Sequence, residues 1–258
     1  MGYLRLRQIC LVARELQPRV AELADIFGLA VCHRDGNVGK YGLVNALLPV
    51  GSSFLEVVAP TRDGTAAGRY LERRRGDGGY MVIIDCDDIE RRRRRMETIG
   101  VRIANPLRYE TYAGLQLHPR DTGGCMLELN HTASGASLDG PYHPAGPNWR
   151  RAVRDDVTTA LLAAQVQSPD PAALAARWSE IVERPLSRSA HGDAQIILDL
   201  GAIRFVRATD GRGEGLGGVD LLAADRARIA DAAARHGCPV DGDAVTVCGT
   251  RFRLLTDR

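Results

Sequence analysis

The sequence predicts an α+β protein of four βαβββ modules, and three observations carry that prediction. Stretches of the first half recur at a fixed offset of 72 residues. Each copy passes from an apolar strand through an amphipathic helix into three further strands. The same order then returns, more loosely, in the second half.

The first copy opens on a strand over residues 4–13. Leu16, Val20, Leu23, Ala24 and Phe27 follow at helical spacing, and Gly28 stands where a left-handed helix cap belongs. Seventy-two residues on, RQICLVA (7–13) lies over GYMVIID (79–85), and the second helix, from about Ile89, stops at Gly100. GLVNALLPVGSSFLEV (42–57) lies over GLQLHPRDTGGCMLEL (114–129), matching Gly42 to Gly114, Gly51 to Gly123 and Leu55 to Leu127. The final strand of each copy carries one carboxylate among apolar neighbours, Glu56 in SSFLEVVAP and Glu128 in GCMLELNHT. Burying an unpaired carboxylate costs far more than such a strand recovers, so each glutamate needs either solvent or a positive partner.

Residues 133–152 (ASGASLDGPYHPAGPNWRRA) are rich in Gly, Pro and Ser and read as a linker. A third module is expected from a strand at 157–167, a helix at 172–184 and strands at 194–200 and 202–208. A fourth is expected from a strand at 217–223, a helix at 225–236 and strands at 244–248 and 250–256. Here the glutamate positions hold Phe205 and Arg253, and Gly218 aligns with Gln8 and Tyr80. The expected domains are therefore residues 1–132, carrying the site, and residues 153–258, a degenerate copy joined through 133–152.

The chain has 258 residues, 45% hydrophobic and 26% charged, with a formal net charge of +2. That composition is ordinary for a globular protein and gives no strong global pull toward nucleic acid or membrane. Six cysteines stand singly without zinc spacing. Arginines interrupt the N-terminal apolar residues, so no signal peptide or membrane span is read there, and a cytoplasmic protein is expected. Gly213–Gly218 has a GxGxxG spacing but precedes a strand instead of joining strand to helix, so no nucleotide cofactor is expected. The arginine run Arg91–Arg95 points all round its helix and reads as solvated, with ion pairs to nearby glutamates.

A tandem βαβββ repeat with Glu on each final strand resembles the vicinal oxygen chelate superfamily, which includes glyoxalase I, methylmalonyl-CoA epimerase, extradiol dioxygenases and bleomycin-resistance proteins. The resemblance implies a glyoxalase-like fold in which modules pair into two open, cup-like mixed sheets, the second pair degenerate. It also implies metal ligands on the first and last strands of each module, which fall here on Gln8 and Glu56, and on Tyr80 and Glu128. Oxygen ligands suit a divalent ion such as Zn, Ni, Mn or Mg; Tyr80 departs from the family's usual His, and a phenol with pKa near 10 is a poor ligand. His118-Pro-Arg-Asp-Thr-Gly-Gly124 up to Glu128 resembles the extradiol fingerprint, with His118 at its active-site tyrosine and expected beside Glu128. The implied activity is a metal-dependent lyase or isomerase acting beside a carbonyl of a small organic substrate. Glu128 and Glu56 would serve as ligand or base, His118 as ligand or proton donor, and Tyr80 would line the site. A metal-free binder of small molecules, as in bleomycin resistance, is the alternative. The assembly is expected to be a monomer or homodimer.

Overall fold

The computed structural model describes residues 2–256. The first module holds β1 (Leu4–Val12), α1 (Leu16–Phe27), β2 (Leu43–Val50) and β3 (Ser53–Pro60), and α2 (Ala66–Arg74) leads out of it. The second holds β4 (Gly78–Cys86), α3 (Ile89–Thr98), β5 (Ile103–Tyr109), β6 (Tyr112–Leu117), the single turn α4 (Pro119–Thr122) and β7 (Met126–Thr132). The third holds β8 (Thr158–Ser168), α5 (Pro171–Val182), β9 (Leu186–Arg188), β10 (Ala194–Ile197) and β11 (Ala202–Arg207). The fourth holds β12 (Gly215–Ala223), α6 (Arg226–Arg235), β13 (Val240–Asp241), β14 (Ala244–Val247) and β15 (Thr250–Leu255).

These strands form two mixed sheets, ordered β2-β3-β1-β4-β7-β6-β5 and β13-β14-β15-β12-β8-β11-β10-β9. The repeat shows in the hydrogen bonding. The last strand of a module runs parallel to the first, as in β4–β7, β8–β11 and β12–β15. That last strand also pairs antiparallel with the strand before it, as in β6–β7 and β14–β15. The first module differs from expectation: two strands follow its helix, and the third is reduced to a bridge between His33 and Leu47. The cause is local. Gly36, Gly39 and Gly42 interrupt this stretch, and the Asp35 side chain accepts the Asn37 N–H to start a 3-10 turn over Gly36–Tyr41.

Backbone packing gathers the chain into two compact units, each drawn from both halves of the sequence. One comprises the residues up to Gln8, Tyr80–His143 and Ala163–Gly217. Its core centres on Trp178, whose indole N–H donates to Thr122 O at 3.0 Å and whose ring meets Phe205 edge-on at 5.7 Å. One arginine of the run, Arg92, belongs to this core, while Arg91 and Arg94 are exposed. Arg92 has no exposed surface; it donates to Val182 O at 3.2 Å and to Glu183 Oε2 at 2.9 Å, while Arg95 donates to Glu180 O at 3.0 Å. The last carbonyls of α5 lack helical donors and carry the negative end of its dipole, which is why guanidinium groups settle there. The expectation of a solvated arginine helix with ion pairs is corrected at Arg92; Arg91 and Arg94 stay exposed, and Arg93 pairs with Glu90 at 3.4 Å.

The second unit comprises Ile9–Gly79, Pro144–Leu162 and the residues from Gly218 onward. Phe27 of α1 packs on Phe252 of β15 at 4.7 Å, and Phe54 of β3 meets Trp149 edge-on at 5.1 Å. Arg253, at a former glutamate position, pairs with Asp220 at 3.0 Å. The segment 133–152 is more than a spacer, since Tyr142, Ala145 and Trp149 are all buried. Among the described residues no helix is long and apolar enough to cross a membrane.

Candidate functional site

Glu128 lies at the middle of β7, with β4 parallel on one side and β6 antiparallel on the other. Its backbone is spent on the two ladders, so the side chain must find partners from neighbouring strands. The registers supply them. Gln116 stands opposite Glu128, Gly114 opposite Asn130 and Tyr112 opposite Thr132, all on one face. Tyr112 donates its hydroxyl to Glu128 Oε1 at 2.6 Å, and Gln116 Nε2 donates to Oε2 at 2.9 Å. Asn130 Nδ2 lies 3.4 Å from the same Oε1. One shell out, Asn105 Nδ2 holds Gln116 Oε1 at 2.9 Å.

Gly114 makes the arrangement sterically feasible. A Cβ there would lie 3.3 Å from both Glu128 Oε1 and the Tyr112 hydroxyl. The return into β7 uses Gly123 and Gly124, with φ of 69° and 65°, a region that side chains beyond glycine avoid. At Gly124 a Cβ would also come within 2.8 Å of Val166 Cγ1.

The network continues to the first strand. Asn130 Nδ2 lies 3.3 Å from the Tyr142 hydroxyl, which donates to Gln8 Oε1 at 3.0 Å. The next residue, His143, stacks on Tyr112 at 5.0 Å and on Tyr109 at 5.5 Å. Two consecutive residues of the segment read as a linker thus brace the partners of Glu128 from two sides.

Glu128 is 3% exposed. Burial pushes its carboxyl above the usual glutamate range, while the donors from Tyr112, Gln116 and Asn130 pull the other way. The Tyr112 and Tyr142 phenols are driven well above 10, chiefly by burial, and stay neutral donors. A buried carboxyl with raised proton affinity and a fixed orientation is suited to taking and returning a proton.

Of the residues singled out in the sequence, Gln8 and Glu128 are joined through Tyr142 and Asn130. Tyr80 is the third residue of β4, in the register alternate to Met81, Ile83 and Asp85, which stand beside Met126, Glu128 and Asn130. His118 caps α4, its Nδ1 accepting the Arg120 N–H at 3.2 Å; the donors to Glu128 are Tyr112, Gln116 and Asn130. Glu56 belongs to the second unit, where Asn45 Nδ2 donates to its Oε1 at 2.7 Å. Tyr112, Gln116, Asn130 and Tyr142 escaped the sequence reading. The signal for the first two was available: in YAGLQL every second residue faces the same way as the glutamate opposite.

The donor set does not fit a resident divalent cation as it stands. Glu128 Oε1 accepts from Tyr112 and Asn130, and Glu128 Oε2 and Gln8 Oε1 each accept a further hydrogen bond, so a cation would have to compete with O–H and N–H donors for these oxygens. Among the described residues no group of three or more His, Cys, Asp or Glu side chains is gathered as ligands.

Modules whose last strand returns parallel to the first, two of them ending in a glutamate strand, define a protein of the vicinal oxygen chelate class. The Glyoxalase-like domain family matches residues 9–182, and the chain belongs to that family. A hypothetical protein from Staphylococcus aureus superposes with a TM-score of 0.69 at 12% identity, covering 98% of this chain and 99% of its own. A variant of 4-hydroxymandelate synthase from Streptomyces coelicolor superposes with a TM-score of 0.66 at 14% identity, covering 92% of this chain and 76% of its own. Both speak to the fold alone. In sequence, the ethylmalonyl-CoA/methylmalonyl-CoA epimerase of Cereibacter sphaeroides is 22% identical over 129 residues, 48% of this chain and 96% of that protein.

Proposed function

We propose that this chain is a proton-transfer enzyme, a glyoxalase-like lyase or isomerase acting beside a carbonyl of a small organic substrate, with Glu128 as its base. The observation that carries the reading is the buried Glu128 carboxyl, raised by desolvation and aimed by the 2.6 Å bond from Tyr112. Such a group removes a proton from a carbon beside a carbonyl and returns it, to the same carbon or its neighbour. Tyr112, Gln116 and Asn130 fix the carboxyl, and burial excludes water from it. Glu56, Tyr80 and His118 are further candidates by position.

The test is deuterium uptake from heavy water into a panel of 2-substituted acyl thioesters, methylmalonyl-CoA among them because of the epimerase relative, and into 2-hydroxycarbonyl compounds. Exchange in at least one compound, lost in Glu128→Gln, supports the proposal; exchange unchanged in that variant overturns it. Elemental analysis of protein purified without chelator bears on the cofactor. An equimolar divalent ion (Zn, Ni, Mn or Mg) would mean that the donors around Glu128 rearrange to admit it.

One feature favours a second reading, a metal-free binder of small molecules. The half-buried rings of Tyr109 and His143, stacked at 5.5 Å, offer flat surface to an aromatic ligand. Tight binding of a compound with no exchange in any member of the panel would select it.

A further inference from the structure

Asp85 lies on β4 directly beside Asn130 of β7, and parallel neighbours in register share a face. It is 2% exposed, and its surroundings do not satisfy it. Oδ1 has no hydrogen-bond partner, and the long ion pair from Arg5 Nη1, a buried donor that itself makes no hydrogen bond, reaches only Oδ2, at 3.9 Å. Asn130 Oδ1 is likewise buried without a donor. Two buried acceptors side by side on neighbouring strands, each lacking a donor, are costly to leave so. A single proton resolves both. Placed on Asp85 Oδ1, it makes that oxygen a donor to Asn130 Oδ1.

We propose that Asp85 is a positioning residue for Glu128 and acts through the Asn130 amide, its protonation state setting which end of that amide faces the glutamate. With Asp85 protonated, its O–H holds the amide oxygen, and the amide nitrogen stays on Glu128 Oε1 and the Tyr112 and Tyr142 hydroxyls, as the structure shows. With Asp85 ionised, the carboxylate draws the amide nitrogen to itself and turns the oxygen toward Glu128, a contact that disfavours the glutamate anion. No bond to carbon changes; one proton leaves Asp85 for solvent and one side-chain amide rotates. The charged and titratable groups around Asp85 are Arg5 and Arg7 of β1, the neighbouring Cys86 thiol, His131 of β7, Asp87 beyond β4, and the phenols of Tyr3 and Tyr142. Burial outweighs the two arginines and lifts the Asp85 carboxyl to about 6, so both forms are accessible near neutrality.

The proposal rests on Glu128 as the base, but its test needs no substrate. In isotope-labelled full-length protein, the Asp85 carboxyl carbon and the Asn130 side-chain amide are followed by NMR across the Asp85 titration. The amide resonances are expected to shift with the same midpoint as the Asp85 carbon. In Asp85→Asn, the introduced amide donates to Asn130 Oδ1 at every pH, and that shift is expected to be lost. Asn130 resonances that stay flat through the Asp85 midpoint, or that move identically in the variant, overturn the proposal. Should the variant not fold, the wild-type titration decides alone. Failure to exchange any substrate would sink the enzyme reading without altering this result.

Discussion

Replacing Tyr112 with phenylalanine removes one hydroxyl and leaves the ring against Tyr109 and His143. The hydroxyl donates to Glu128 Oε1 at 2.6 Å and accepts from Asn130 Nδ2 at 3.2 Å, so the loss is almost wholly polar. A hydrogen bond to a charged group contributes about 1.5–3 kcal/mol and one to a neutral group about 0.5–1.5 kcal/mol. The loss should therefore depend on pH. Burial raises the Glu128 carboxyl, so the stability it contributes is whole below the unfolded glutamate range and falls as pH climbs through its folded value. Tyr112 opposes that rise, and without it the folded value moves further up and the fall deepens. Urea denaturation of wild type and Tyr112→Phe, from about pH 5 to about pH 9, should show the variant losing roughly 1 kcal/mol more at the alkaline end. An equal or smaller loss there would mean that the hydroxyl does not hold a carboxylate and that Glu128 is not the base.

Gly114→Ala should destabilise by about 1–3 kcal/mol through overpacking, because its Cβ would press on Glu128 Oε1 and the Tyr112 hydroxyl at 3.3 Å; thermal denaturation measures it, and an unchanged midpoint would show slack in the network. The Asp85 carboxyl, raised to about 6 by burial, gives stability that is complete below the unfolded aspartate range and lost as pH rises through about 6, a fall of about 3 kcal/mol. Chemical denaturation across that window should show this fall in wild type and not in Asp85→Asn. Phe205→Ala should cost about 3–5 kcal/mol, since the ring is buried edge-on against Trp178 at 5.7 Å; a loss below about 1 kcal/mol, the ordinary size for a peripheral substitution, would show that Phe205 is not core.

The 72-residue offset exposed Glu56 and Glu128, since a buried carboxylate on a strand contradicts its neighbours and such contradictions survive in the sequence. What surrounds Glu128 was harder to read. Tyr112 and Gln116 sit in a strand whose register becomes legible only once β6 is paired with β7. Tyr142 follows Gly140 and Pro141 in a stretch whose composition signals a loop, and its burial depends on contacts remote in sequence. Arg92 was illegible for the same reason: nothing near it announces that the C-terminal end of α5, some 90 residues later, lies beside it. Local pattern records the period of an element and the oddity of a residue, but not a partner brought in by the fold.

Each compact unit takes its strands from both halves of the chain, and this bears on how the protein is made. A ribosome delivering residues in order finishes the Glu128 strand early, yet α5 and Phe205, which complete that strand's unit, emerge later, and β15 of the other unit last. At ordinary translation rates, on the order of ten seconds separate Thr132 from β15. For that interval the nascent chain presents apolar faces with nothing to cover them. Slow codons placed after the first half would lengthen this exposure and favour aggregation, whereas in a protein whose halves fold independently they would help. Yield of soluble protein from synonymous gene variants is thus a readout of this topology.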